Sequence, residues 1–204
     1  MSMRKPSGAW PEPGAAIGAE ASPTVPAVRW TIHGERLVYD SPWVSLALTD
    51  VEIPGLRRFE HHVVRMPHPA AGVIVQDPDR GILLLWRHRF ITDSWGWEIP
   101  AGRVEPDEDI GEAARREVLE ETGWAIAAAE PLFIYRPTNG ISDQAFHVFL
   151  ASGATHVGEP SDPSESEKVE WVPVDQVRQV ILDGGMPDGF SLTAITYALA
   201  FGRL

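Results

Sequence analysis

The chain has 204 residues, 44% of them hydrophobic and eight of them Trp, which suits roughly one to one and a half domains and excludes a wholly disordered protein. Seventeen Lys and Arg stand against 29 Asp and Glu, a formal charge of −12 that argues against bulk nucleic acid and anionic membranes as partners, since both demand excess cations. With no Cys, a disulfide framework, a Cys-ligated zinc and a Cys nucleophile are all excluded. The longest uncharged apolar runs, residues 82–86 and 124–129, fall far short of the roughly 18 residues of a membrane helix. No basic head followed by an apolar stretch opens the chain, so the expected location is cytoplasmic.

Residues 1–26 carry five Pro, three Gly and five Ala without apolar periodicity and read as a disordered leader. Short alternating stretches follow at 30–32 and 43–52, where Val44, Leu46 and Leu48 share one face. A Pro54-Gly55 turn precedes a strand over 57–66, and residues 72–76 and 82–87 form a buried hairpin across the polar turn 77–81. The period then changes. Residues 107–122 are helical, with Ile110, Ala114 and Val118 at i, i+4 and i+8 and Gly123 placed to end the helix. Strands are expected at 132–135, 145–151 and 169–172, and helices at 174–183 and 191–201. Mixed strands with few helices make the class α+β.

The chemistry is concentrated in the helix over 107–122. Glu117, Glu120 and Glu121 at i, i+3 and i+4 set three carboxylates on one helical face. Such a cluster repels itself unless a hard cation such as Mg²⁺ resolves the repulsion, while Arg116 can neutralise part of it or pair back to Glu108. Residues 98–121 hold nine of the 29 acids against three Arg, a local balance of −6. His61, His62 and His68 lack zinc-site spacing, and neither a G-x-S-x-G elbow nor a phosphate-binding G-x4-G-K-[ST] loop occurs.

From Gly102 to Trp124 the sequence resembles the Nudix box, G-x5-E-x7-R-E-U-x-E-E-x-G-U, at every fixed position except the last, where Trp124 replaces an aliphatic residue. The lead-in Trp97-Glu98-Ile99-Pro100-Ala101-Gly102 and the segment Trp86-Arg87-His88-Arg89-Phe90 are similar to the ADP-ribose pyrophosphatase branch of that family. The resemblance implies an α/β/α sandwich with a mixed sheet (67–204), preceded by an N-terminal antiparallel strand group (27–66) that dimerises and is often exchanged between subunits. It implies Mg²⁺ or Mn²⁺ held by Glu117, Glu120, Glu121 and the carbonyl of Ala101, with Gly102, Glu108, Arg116 and Gly123 shaping the box. The general base it implies lies on a late loop, Glu167 first and Glu165 second. Trp43 and Phe59 would stack the base, Arg89 and Arg65 would contact the diphosphate, and Glu98 would take a ribose hydroxyl or complete the metal site. The implied activity is hydrolysis of the diphosphate of a nucleoside diphosphate derivative, ADP-ribose or another ADP- or NDP-sugar, by a homodimer. The alternatives are a (d)NTP or dinucleotide pyrophosphohydrolase and a non-catalytic nucleotide sensor. Asn139 stands where the ADP-ribose enzymes carry a proline, which points away from ADP-ribose itself toward a related substrate.

Overall fold

The computed structural model describes residues 28–161 and 167–204, so the leader expected at 1–26 and the candidate base Glu165 lie outside the described residues. Three antiparallel strands, β1 (Thr31–Tyr39), β2 (Ser45–Ile53) and β3 (Arg57–Arg65), form a separate sheet in the order β1-β2-β3. The buried side chains of β2 are Ala47, Thr49 and Val51, whereas Leu46 and Leu48, on the face shared with Val44, stay half-buried. On the face of Ala47 and Val51, Thr49 donates to Glu35, which also accepts from Arg65.

The second sheet has seven strands and runs β12-β5-β4-β10-β9, with β6 added to β5 and β7 to β4. These are β4 (Ala70–Asp77), β5 (Gly81–Arg89), β6 (Ser94–Glu98), β7 (Ala101–Arg103), β9 (Glu130–Tyr135), β10 (Phe146–Ser152) and β12 (Lys168–Val172); β8 (Trp124–Ala125) and β11 (Thr155–His156) make a small pair outside it. β10 runs parallel to β4, and the other pairings are antiparallel. Because alternate side chains of a strand point to opposite faces, β4 and β5 feed two cores. Ile74, Ile82 and Leu84 pack with α2 (Val174–Leu182) and α3 (Gly189–Ala200), while Val73, Val75 and Leu83 pack with α1 (Ile110–Thr122). Helices thus cover both faces, as an α/β/α sandwich requires.

α1 begins three residues later than the sequence suggests. Asp107 sits at φ +64°, outside the helical region, and Asp109 is the N-cap, accepting from the amides of Gly111 (2.9 Å) and Glu112 (3.2 Å). Gly123 ends the helix at φ +72°, with its amide donating to Leu119. A Cβ there would also fall 2.0 Å from the carbonyl oxygen of Gly158, so the position needs glycine for space as well as for conformation. The last helix starts at Gly189 because Asp188 caps it, accepting from the Ser191 amide at 2.8 Å.

Trp124, at the one divergent position of the box, packs edge-on against Trp171 of β12 at 5.2 Å. The Arg80 guanidinium lies 4.7 Å from the first ring and 4.3 Å from the second, so an indole here ties the turn before β5 to the end of α1.

Candidate active site

The loop ahead of α1 folds back onto the helix through Arg116. Its Nε and Nη2 grip the two oxygens of Glu108 at 2.8 and 3.0 Å, Nη2 also donates to the carbonyl of Arg103 at 3.0 Å, and Nη1 bridges Glu117 (2.7 Å) and Glu120 (3.0 Å). A planar fork suits this work because its donors are fixed in direction. These acceptors push the Arg116 pKa up, with the bonds to Glu108 the largest cause. The same contact holds the Glu108 carboxyl below its ordinary 4.5. A depressed carboxylate contributes stability that is complete above the unfolded pKa and is lost as pH falls through the folded one. Urea unfolding of Glu108→Gln should therefore lose less stability than the parent on acidification below about pH 4.5. Parallel acid limbs in the two proteins would refute the assignment.

Glu121 is the most enclosed of the helix carboxylates, at 2% exposure. One oxygen accepts from the Ala101 amide at 2.8 Å and the other from Arg87 Nη1 at 2.8 Å. Glu117 is packed against Gly102, where a Cβ would fall 2.2–2.3 Å from its carboxyl atoms. Glu120 lies on the exposed edge. In this arrangement no three carboxylate or imidazole groups among the described residues converge on one point that would hold an ion; arginines take up their oxygens instead. The chemistry of the donor set nevertheless fits a hard divalent cation. Glu117 and Glu121, one turn apart, are carboxylates held against a backbone pared down to glycine on that side.

Arg89 and Glu98, expected as separate contacts, form one ion pair, Nε–Oε1 at 2.9 Å and Nη2–Oε2 at 2.5 Å. Glu98 is buried, and its hydrogen bonds raise the pKa of Arg89. The strand end that presents them is tethered from α3: the Ile99 amide donates to Ser191 Oγ at 3.1 Å, and Ser191 Oγ donates to Asp188 at 2.6 Å. Trp43 reaches the box through Arg103, whose guanidinium lies 4.3 Å from its ring. Both line a cleft of about 750 Å³ together with Gly102, Thr138, Gln144 and Phe146.

Of the expected substrate contacts Trp43 lines this cleft; Arg89 and Glu98 do not line it, and Arg65 and Phe59 are engaged elsewhere. Arg65 pairs with Glu35 at 2.5 Å and Asp143 at 3.2 Å. Phe59 packs against Trp30 six residues farther along β3, on the order of 20 Å from the Ser45–Arg65 end where Trp43 enters the sheet. The extended register of the strand, not its composition, separates these residues. Glu167 donates its amide to the Trp86 carbonyl at 2.9 Å, one step beyond the Lys168–Trp86 pair, and so sits at the register position of Arg87. Asn139 lines a shallow depression with His61, Arg65 and Arg136, in a loop stitched to β3 by the Val64 amide and the Ile141 carbonyl at 2.8 Å.

Arg87, Arg103 and Ser191 escaped the reading of the sequence. The signal for Arg87 was present: it continues the row Leu83, Leu85 on one face of β5, and a charge on an apolar row demands a partner. Nothing local pointed to Ser191, which lies 92 residues from Ile99.

The family model for the NUDIX domain matches residues 66–189. A CMP-5'-(N-acetyl-N-hydroxy-3-aminopropyl)phosphonate hydrolase from Streptomyces rubellomurinus is 41% identical over 157 residues, covering 77% of this chain and 76% of that protein. An ADP-ribose pyrophosphatase from Bacillus subtilis is 30% identical over 145 residues, covering 71% and 77%. Among solved structures, an ADP compounds hydrolase superposes with a TM-score of 0.74 over 86% of this chain and 97% of its own, at 18% identity, and so shares the fold. The chain belongs to the Nudix family and is a hydrolase near its ADP-ribose pyrophosphatase branch.

Proposed function

We propose that this hydrolase cleaves the anhydride joining a nucleoside 5'-monophosphate to a second phosphorus acid, the phosphate of a sugar as in ADP-ribose or another NDP-sugar, or a phosphonate. The observation that carries the reading is the built carboxylate face of α1, with Glu117 wedged against Gly102 and Glu121 held by Ala101 and Arg87. Two relatives frame the substrate class: one is named for a CMP-linked phosphonate, the other for ADP-ribose. Asn139, at the position where a proline is expected, favours a substrate other than ADP-ribose itself.

Glu117, Glu120 and Glu121, with the Ala101 carbonyl, would hold Mg²⁺ or Mn²⁺. When bound, the ion neutralises phosphoryl oxygens and makes water a better nucleophile. The chain's own groups do the rest. Trp43 offers the face not covered by Arg103 for base stacking, worth about 1–3 kcal/mol. Arg89, aligned by Glu98 through Nε and Nη2, keeps Nη1 to donate to the diphosphate. Glu167 takes the proton of the attacking water as the new P–O bond forms, and the bridging oxygen leaves with the electron pair of the broken bond.

We further propose residues 27–66 as a dimerisation region, because β1 leaves Ile32, Leu37, Val38 and Tyr39 exposed; light scattering should report two chains per particle. No helix among the described residues is long and apolar enough to cross a membrane.

The deciding experiment incubates the protein and Mg²⁺ or Mn²⁺ with ADP-ribose, other ADP-sugars, GDP-mannose, a CMP–phosphonate anhydride, NADH and dNTPs, and follows products by phosphorus NMR. A nucleoside monophosphate should appear from the diphosphate derivatives; cleavage of dNTPs alone would overturn the reading. In the same assay Glu167→Gln should slow turnover by about 10²-fold or more with metal binding unchanged. A wild-type rate in that variant would remove Glu167 from the mechanism.

A further inference from the structure

Arg87 has no place in the Nudix box, yet it is the side chain that meets Glu121 from the sheet. It is 7% exposed and Glu121 2%, and 2.8 Å separates Nη1 from Oε1. A buried carboxylate without a cation is costly, and removing one member of a buried pair is among the more destabilising changes a fold can suffer. The guanidinium therefore offsets the buried carboxylate of Glu121 and keeps it aimed when no metal is present. It carries a cost in turn. Both oxygens of Glu121 already accept a hydrogen bond, one from Arg87 and one from the Ala101 amide. A divalent ion that takes Glu121 as a ligand then shares the carboxylate with a fixed positive charge, and like charges in a poorly solvated site repel strongly.

We infer that Arg87 is a built-in counter-cation of Glu121, a positioning residue that makes the folded site independent of metal and lowers its affinity for the ion. The inference rests on the proposed role of Glu121 as a metal ligand. Arg116 does not duplicate it: that guanidinium bonds Glu108, Glu117 and Glu120 and leaves Glu121 to Arg87. Between these two arginines the helix carboxylates are divided, Arg116 on Glu117 and Glu120 and Arg87 on Glu121 at the buried end.

The test measures Mn²⁺ binding by calorimetry without substrate, together with thermal unfolding with and without Mn²⁺, on the parent, Arg87→Gln, Arg87→Lys and Glu121→Gln. Arg87→Gln should bind Mn²⁺ at least tenfold more tightly than the parent, melt lower without metal, and gain more in melting temperature when Mn²⁺ is added. Arg87→Lys keeps the charge, and its Mn²⁺ dissociation constant should stay within threefold of the parent's. Equal or weaker binding by Arg87→Gln would overturn the inference, as would a tenfold change in Arg87→Lys, which also carries the test if the glutamine variant does not fold. A parent that binds no Mn²⁺, or binds it as Glu121→Gln does, would instead sink the metal reading of the site.

Discussion

Glu121→Gln should lower turnover by about 10³-fold or more while the protein remains folded. A divalent ion at a phosphoryl centre contributes several kcal/mol to the transition state, and about 4 kcal/mol corresponds to that factor. The amide keeps the shape of the side chain and loses the charge that makes it a ligand. The structure adds a second consequence. Glu121 accepts from both Ala101 and Arg87, and an amide has one acceptor oxygen for those two donors. Arg87 also loses the carboxylate it faces, and breaking a buried ion pair from one side costs about 3–5 kcal/mol, so the variant should be less stable by that order. Steady-state kinetics and urea unfolding read the two effects separately. Metal-dependent hydrolysis at the parental rate would remove Glu121 from the site.

Gly102→Ala should separate function from folding even more cleanly. The added methyl would meet the Glu117 carboxyl at 2.2–2.3 Å, closer than any real contact, so that carboxylate must move. What moves is the far end of a side chain, and Gly102 has no left-handed φ to lose. The stability cost should thus stay within about 1 kcal/mol, as for changes that neither open a cavity nor strain the backbone. Activity, by contrast, should fall by about 10²-fold, the penalty for a small misplacement of a group at the reacting centre. Calorimetric Mn²⁺ titration should weaken in parallel. Full activity in a folded Gly102→Ala protein would show that the Glu117 carboxylate needs no fixed seat.

The two variants also show how unevenly the site could be read. The box was legible because everything in it is local. Gly102, Glu108, Arg116, Glu117, Glu120, Glu121 and Gly123 lie within 22 residues, and helical geometry alone sets the last five in relation to one another. The pairing of Arg116 with Glu108 follows from the same proximity and is present in the structure. Asp107 and Glu108 look like first-turn acids in the sequence, whereas Asp107 is left-handed and Asp109 caps, so the helix starts later. The strand–lead-in segment points to Arg89 and Glu98 only as independent contacts. Their bidentate pairing depends on the β5–β6 hairpin, for which the sequence carries no local Gly or Pro turn signal.

The acidic surplus that composition announced has changed its meaning as well. Within the stretch of −6 charge, Arg116 already engages three of the glutamates, and Arg87 and Arg89 reach in from β5 to engage two more. The site is a lattice of ion pairs that a cation would join, not a bare cluster of acids. Arg65 drops out of the single-chain cleft for a related reason, being held by Glu35 and Asp143. Phe59 drops out because a strand carries its residues apart by about 3.3 Å each, which sets it far from the end where Trp43 enters.

From the residues alone came the family, the α+β class, the helix that bears the carboxylates and the glycine that ends it, because each depends on spacing within a few turns of chain. Tertiary structure decided which cations meet those carboxylates: Arg87 reaches Glu121 across 34 residues, and Ser191 anchors the lead-in across 92. Periodicity says which way a side chain points within its own element. What stands opposite it is set by the packing of sheet against helix, and no local pattern encodes that.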